Sequence, residues 1–165
     1  MPTYGPNITG TAADLGASWT SPGNLTANDA SFATWTASDG AGGCFLAGTR
    51  ITTPDGFKLI EHVEIDDVLL DAFGDEVQVN ALHFLHVNQY MTLIMEDGSE
   101  LHVTAEHPFL KDDVFVKAED LSIGDTLSGK RLANVIVRNE PVMVFNLSVN
   151  GSHTFVANGL KVHNK

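Results

Sequence analysis

The chain has 165 residues, 43% of them hydrophobic, enough for one ordinary domain with a sizeable core and an appendage. Nine Lys and Arg against 21 Asp and Glu give a net charge of −12, and no basic run offers a footprint for phosphate. Nucleic-acid and anionic-membrane partners are therefore not expected. No apolar stretch reaches bilayer length, and Met1-Pro2-Thr3-Tyr4 opens neither a basic nor an apolar leader region, so no secretory signal is expected here. A single cysteine excludes an internal disulfide framework and leaves one thiol.

Composition shifts at Cys44. Residues 1–43 carry three acids (Asp14, Asp29, Asp39) and no Lys or Arg, and they are rich in Thr, Ala, Ser, Asn and Gly. Trp19, Phe32 and Trp35 sit in short Thr/Ala stretches that read as strands, so this arm reads as β-rich rather than plainly disordered. It ends in Gly40-Ala41-Gly42-Gly43, which reads as a flexible hinge. Cys44 follows directly. A thiolate there is a nucleophile next to a carbonyl, and glycines upstream let the backbone twist toward it. A lone core cysteine behind a linker would look the same.

Beyond Cys44 the punctuation is that of an all-β domain. Short Val, Ile, Leu and Phe runs alternate with Pro54-Asp55-Gly56, Gly74-Asp75, Asp97-Gly98, Gly124-Asp125, Asn150-Gly151 and Asn158-Gly159. Strands are expected at Glu76–Val79, Thr92–Met95 and Val142–Val149. Ala118–Leu121 fits one helical turn, and Ile60–Val63 is ambiguous. The phrases Ile60–Leu69 and Val116–Leu127 echo each other in their order of apolar and acidic residues, which suggests two related halves.

Three segments could carry chemistry besides Cys44. After the strand-like Glu100–Val103 comes Thr104-Ala105-Glu106-His107-Pro108. A Thr and a His three apart at a strand end can face one peptide bond, the hydroxyl binding it and the imidazole protonating a departing amide nitrogen. Pro108 restricts His107 to extended geometry. Val144-Phe145-Asn146-Leu147-Ser148-Val149 leads through a turn to His153, and the chain closes on His163-Asn164-Lys165. An Asn side-chain amide can attack its own backbone carbonyl and cut the following bond, and His163 and His153 could assist. Each segment alone also fits an ordinary strand end. His83 and His86 resemble a ligand pair, but at strand spacing they diverge, and no second pair completes a metal site. No metal and no cofactor are expected.

Together, Cys44-Phe45-Leu46-Ala47-Gly48-Thr49-Arg50-Ile51 with Thr53-Pro54-Asp55-Gly56, Thr104-Ala105-Glu106-His107-Pro108-Phe109 and the closing His-Asn segment resemble the Hint superfamily of inteins, hedgehog-type autoprocessing domains and bacterial intein-like domains. The match spans about residues 44–164, with the blocks in order and no room for a homing endonuclease between His107 and Val144.

The resemblance implies a horseshoe-like all-β fold with two pseudo-symmetric halves, residues 1–43 as the flanking arm, 44–164 as the processing domain and Lys165 as a downstream remnant. It implies that Cys44 converts the Gly43–Cys44 bond to a thioester, that Thr104 and His107 activate that bond, and that His153 and His163 assist cyclisation of Asn164. The substrate would be the chain's own flanks, the acceptor water, a thiol or an amine, and the domain a monomer. Two departures are visible. Lys165 is not a Cys, Ser or Thr acceptor, and Asn146 stands where many splicing inteins carry Asp or Cys. Cleavage is therefore expected rather than full splicing. By analogy with intein-like domains, the chain is expected in a bacterial or phage-associated setting, whether cytoplasmic or as part of a surface or secreted protein. The competing reading keeps the fold without the reaction, as a C-terminal structural or interaction module.

Overall fold

The computed structural model describes residues 9–14, 16–19, 35–37 and 43–163. The chain divides into two compact units, residues 1–37 and 38–165. In the first, β1 (Thr9–Asp14) and β2 (Gly16–Trp19) form an antiparallel pair, and β3 (Thr36–Ala37) is a two-residue strand. Phe32 lies outside the described residues, as do Gly40, Ala41 and Gly42 of the expected hinge.

The second unit is built of antiparallel strands, with no α-helix among the described residues. Its strands are β4 (Phe45–Leu46), β5 (Arg50–Thr53), β6 (Gly56–Leu59), β7 (Val68–Leu70), β8 (Glu76–Val87), β9 (Tyr90–Met95) and β10 (Glu100–Val103). Then come β11 (Pro108–Lys111), β12 (Val114–Lys117), β13 (Thr126–Leu127), β14 (Lys130–Arg138), β15 (Val142–Val149), β16 (Thr154–Ala157) and β17 (Leu160–His163). One sheet includes, in order, β13, β14, β9, β10, β4, β15 and β8, with β7 also on β8; the other runs β12, β11, β17, β16, β5, β6. The expected strands fall within β8, β9 and β15.

Burial explains which runs became strands. The start of β8 alternates exposed and buried residues, the pattern of a strand with one wet face. β9 and β15 are buried almost continuously, which their apolar runs require. Phe45, Phe109, Phe145 and Phe155 are among the largest fully buried side chains. Each contributes about 1.5–3 kcal/mol of apolar burial.

The sequence echo is a structural repeat. Ile60–His62 and Ala118–Asp120 are both single 3₁₀ turns, each following a hairpin and preceding a short strand. Their hydrogen bonds match. The Ile60 amide donates to the Thr49 carbonyl at 2.8 Å, and the Ala118 amide to the His107 carbonyl at 2.9 Å. The Glu64 amide donates to Asp67 Oδ2 at 2.8 Å, as Ser122 does to Asp125 Oδ2 at 2.8 Å. Asp67 and Asp125 are thus matching turn caps, and His107 occupies the place that Thr49 holds in the first half.

Candidate active site

β4 is only two residues long, yet it lies between two longer strands. Phe45 pairs with Val103 of β10 on one side and with Phe145 of β15 on the other. That places the preceding residue, Cys44, between Thr104, just past β10, and Asn146, within β15. The apolar pairing of Phe45 therefore aligns the polar groups around the Gly43–Cys44 bond.

The peptide bond is held on both sides. Asn146 Nδ2 donates to the Gly43 carbonyl oxygen at 2.8 Å, and the Cys44 amide donates to Thr104 Oγ1 at 2.8 Å. The Thr104 amide donates in turn to the Cys44 carbonyl at 2.9 Å. Asn146 is fully buried, and its own Oδ1 accepts the Leu147 amide at 2.8 Å, which fixes the side-chain amide so that its nitrogen faces Gly43. Cys44 is buried as well, with 1% of its surface exposed.

Gly43 cannot be another residue here. Its φ is +80°, and an added Cβ would stand 2.5 Å from both Cα and Cβ of His107. The last residue of the expected hinge is thus buried against the backbone of His107.

His107 is fully buried, with Phe45 at 4.2 Å between ring centroids and Phe109 at 6.0 Å. Neither ring nitrogen has a hydrogen-bond partner of good geometry among the described residues. An orphaned buried polar atom costs about 1–3 kcal/mol, a cost that functional sites tolerate. Burial pushes its pKa down to about 3; the backbone of His163 and of Gly43 works the other way, and the His163 charge adds to the lowering. The backbone groups lie near enough to influence the ring without completing a bond. At neutral pH the imidazole is therefore uncharged, with one N–H and one lone pair.

β17 brings His163 to the same region: Phe109 pairs with Val162, and the His163 ring meets Phe115 edge-on at 5.0 Å. His153 stands apart. It is exposed, has φ +60°, and its Nδ1 lies 3.0 Å from the Val149 carbonyl oxygen. It precedes Thr154, which pairs with His163, so the hairpin carries it toward the chain end. Asn164 and Lys165 lie outside the described residues. The structure thus gathers Gly43, Cys44, Thr104, His107 and Asn146, with His163 next to them.

Two features carry no local sequence signal. Buried Asp71, after β7, accepts hydrogen bonds from the Phe73 and Asp75 amides at 2.9 and 2.8 Å and from Ser152 Oγ at 2.8 Å. Ser152 Oγ also lies 2.7 Å from Thr154 Oγ1, which accepts the Ala72 amide at 2.9 Å. This clamp fixes the turn that carries His153. Burial raises the Asp71 pKa, but these hydrogen bonds outweigh it and leave the carboxyl below its ordinary value. The second feature is a cleft of about 340 Å³ that ends at Cys44 and Thr104. His83 and His86 behave as strand geometry requires: His83 Nε2 meets Ser148 Oγ at 2.8 Å, while His86 is exposed.

Comparison with known proteins gives a consistent result. The family model described as the pretoxin HINT domain matches residues 50–165. The bacterial intein-like domain from Clostridium thermocellum superposes with a TM-score of 0.66 at 29% identity, covering 73% of this chain and 98% of that one. The gp41-1 intein gives a TM-score of 0.65 at 24% identity, covering 75% and 100%. A DnaB intein from Synechocystis sp. PCC 6803 gives 0.60 at 21% identity, covering 74% and 99%. At those lower identities the likeness is one of fold. A search of curated proteins returns no significant match.

Proposed function

Because the chain belongs to the pretoxin HINT family, whose fold it shares with inteins, we propose that it cuts its own backbone at Gly43–Cys44 and after Asn164. Residues 1–43 are the flanking arm, residues 44–164 the processing domain, and the substrate is the chain itself, for which a monomer suffices. The observation that carries this reading is the double grip on one peptide bond, with Asn146 on the Gly43 oxygen and Thr104 on the Cys44 nitrogen.

In the first step Cys44 Sγ bonds to the Gly43 carbonyl carbon while the C–N bond to Cys44 breaks. The thiol proton ends on the released Cys44 nitrogen. Asn146 donates to the oxygen on which negative charge builds, the role of an oxyanion-hole donor. Thr104 Oγ1 accepts the Cys44 N–H and so fixes the orientation of the scissile amide relative to Asn146. Neutral His107 can take the thiol proton on one ring nitrogen and give one to the amide from the other, so no net charge is stored in its apolar box.

The thioester then passes its acyl group to water, a thiol or an amine. At the other end the Asn164 side-chain nitrogen attacks its own backbone carbonyl carbon, forming a succinimide and releasing Lys165 as the amine. His163 and His153 assist by donating to the carbonyl and the leaving nitrogen. Lys165 offers no hydroxyl or thiol to receive the acyl group, so the two cuts are separate and each happens once.

Cys44→Ala is expected to abolish cleavage at residue 43 and to leave release of Lys165 intact, read by mass spectrometry of the aged protein. Residue-43 cleavage persisting in that variant would refute the Cys44 assignment.

A further inference from the structure

The cleft beside Cys44 shares Cys44 and Thr104 with the thioester chemistry, and the rest of its lining bears on what consumes the thioester. Its walls are apolar, from Leu85 and Val87 of β8 and from Ala105, and Asn88, Gln89 and Glu106 add polar groups. Cys44 and Thr104 complete the lining, so the cleft reaches the residue that would carry the acyl group. Its volume of about 340 Å³ suits a small nucleophile or the tip of a side chain.

Among the lining residues Glu106 is the one formal charge at neutral pH. Its position is set by a tight turn. The His107 amide donates to the Thr104 carbonyl at 3.3 Å, and the Glu119 amide to the Ala105 carbonyl at 2.9 Å. These bonds fix the backbone of the four-residue segment that joins Thr104 to His107, and Glu106 lies within it, exposed and lining the cleft. Gln89, by contrast, is engaged, its Nε2 donating to Asn139 Oδ1 at 2.8 Å.

We propose that this cleft is the acceptor site and that Glu106 makes it selective, admitting cationic, amine-bearing nucleophiles and disfavouring anionic ones. The inference rests on the thioester reading above. With a thiol acceptor, the acceptor sulfur bonds to the Gly43 carbonyl carbon as the bond to Cys44 Sγ breaks, and the acceptor's proton goes to the Cys44 thiolate. With an amine, the unprotonated nitrogen bonds to the Gly43 carbonyl carbon as the bond to Cys44 Sγ breaks, one of its protons passes to the Cys44 thiolate, and the product is an amide.

The test uses the full chain and three thiols of similar size: 2-aminoethanethiol, 2-mercaptoethanol and 2-mercaptoethanesulfonate. The rate of appearance of the 44–165 fragment is compared per thiolate. One charge acting at about 5 Å through water predicts roughly a fourfold step from cationic to neutral, and a similar step to anionic. Half-molar salt should shrink the spread. Glu106→Gln should compress it to within about twofold, whereas Glu106→Asp should keep the order. Glu76→Gln, the same charge change at the far end of β8, should leave the spread intact.

Equal rates for the three thiols, or a spread that survives Glu106→Gln, would overturn charge selection while leaving the thioester in place. No fragment with any thiol would instead remove the thioester, and the acceptor site with it.

Discussion

Asn146 shows how one residue can be read in two ways. By position it is a departure from the Asp or Cys of many splicing inteins. By geometry it is a donor, with Nδ2 2.8 Å from the Gly43 oxygen and its other end tied to the Leu147 amide. Asn146→Asp would place a carboxylate against a carbonyl oxygen and remove the N–H. Cleavage at residue 43 is expected to slow by about 10²-fold or more at pH 7, in line with the loss of an oxyanion-hole donor. An unchanged time course by mass would make the contact structural only.

His107 yields a pH prediction with a definite sign. Its folded pKa is about 3, below the ordinary value of 6.5, so between these values the unfolded chain binds a proton that the folded chain does not. Stability from this residue is therefore present above about pH 6.5 and is lost as pH falls toward 3. The slope is on the order of 1.4 kcal/mol per pH unit, or about 2 kcal/mol between pH 7 and pH 5. Urea midpoints should show this extra acid sensitivity in the parent protein relative to His107→Gln. Equal pH slopes in the two proteins would contradict a neutral buried imidazole.

At the scale of elements, local patterns were legible and distant partners were not. Turn signals and short apolar runs gave the all-β class, and the repeated phrases gave two halves that share their capping hydrogen bonds. The Thr104–His107 turn was legible because both groups lie within one short segment. Phe45 as the strand that aligns the site was not, since its partners lie on β10 and β15 and no local periodicity names them. An Asn inside an apolar strand signals a buried polar group in need of partners, yet Gly43 is 103 residues away in sequence.

The clamp between the two turns was equally hidden, because Asp71 and Ser152 are 81 residues apart. Asp71→Ala is expected to cost about 1–3 kcal/mol, from buried amides and hydroxyls left unpaired. Since the clamp fixes the turn that carries His153, cleavage after Asn164 should slow more than cleavage at residue 43. Separate mass time courses for the two cuts would show the difference, and equal slowing would assign the clamp to stability alone. Its contribution is retained near neutral pH and lost as pH falls through the folded Asp71 pKa, below 3.8.

At the scale of the molecule, two repeated halves supply complementary parts of the candidate site. The first half brings in Cys44 just ahead of β4, the second brings His107 at the place where its mate is Thr49, and β15 places Asn146 on the Gly43 carbonyl. Intact mass of freshly purified protein, followed with and without dithiothreitol, tests the central claim most directly. Cleavage between Gly43 and Cys44 that is faster with the thiol and absent in Cys44→Ala is the expected result. A full-length mass unchanged over days, with thiol present, would contradict self-processing at Cys44.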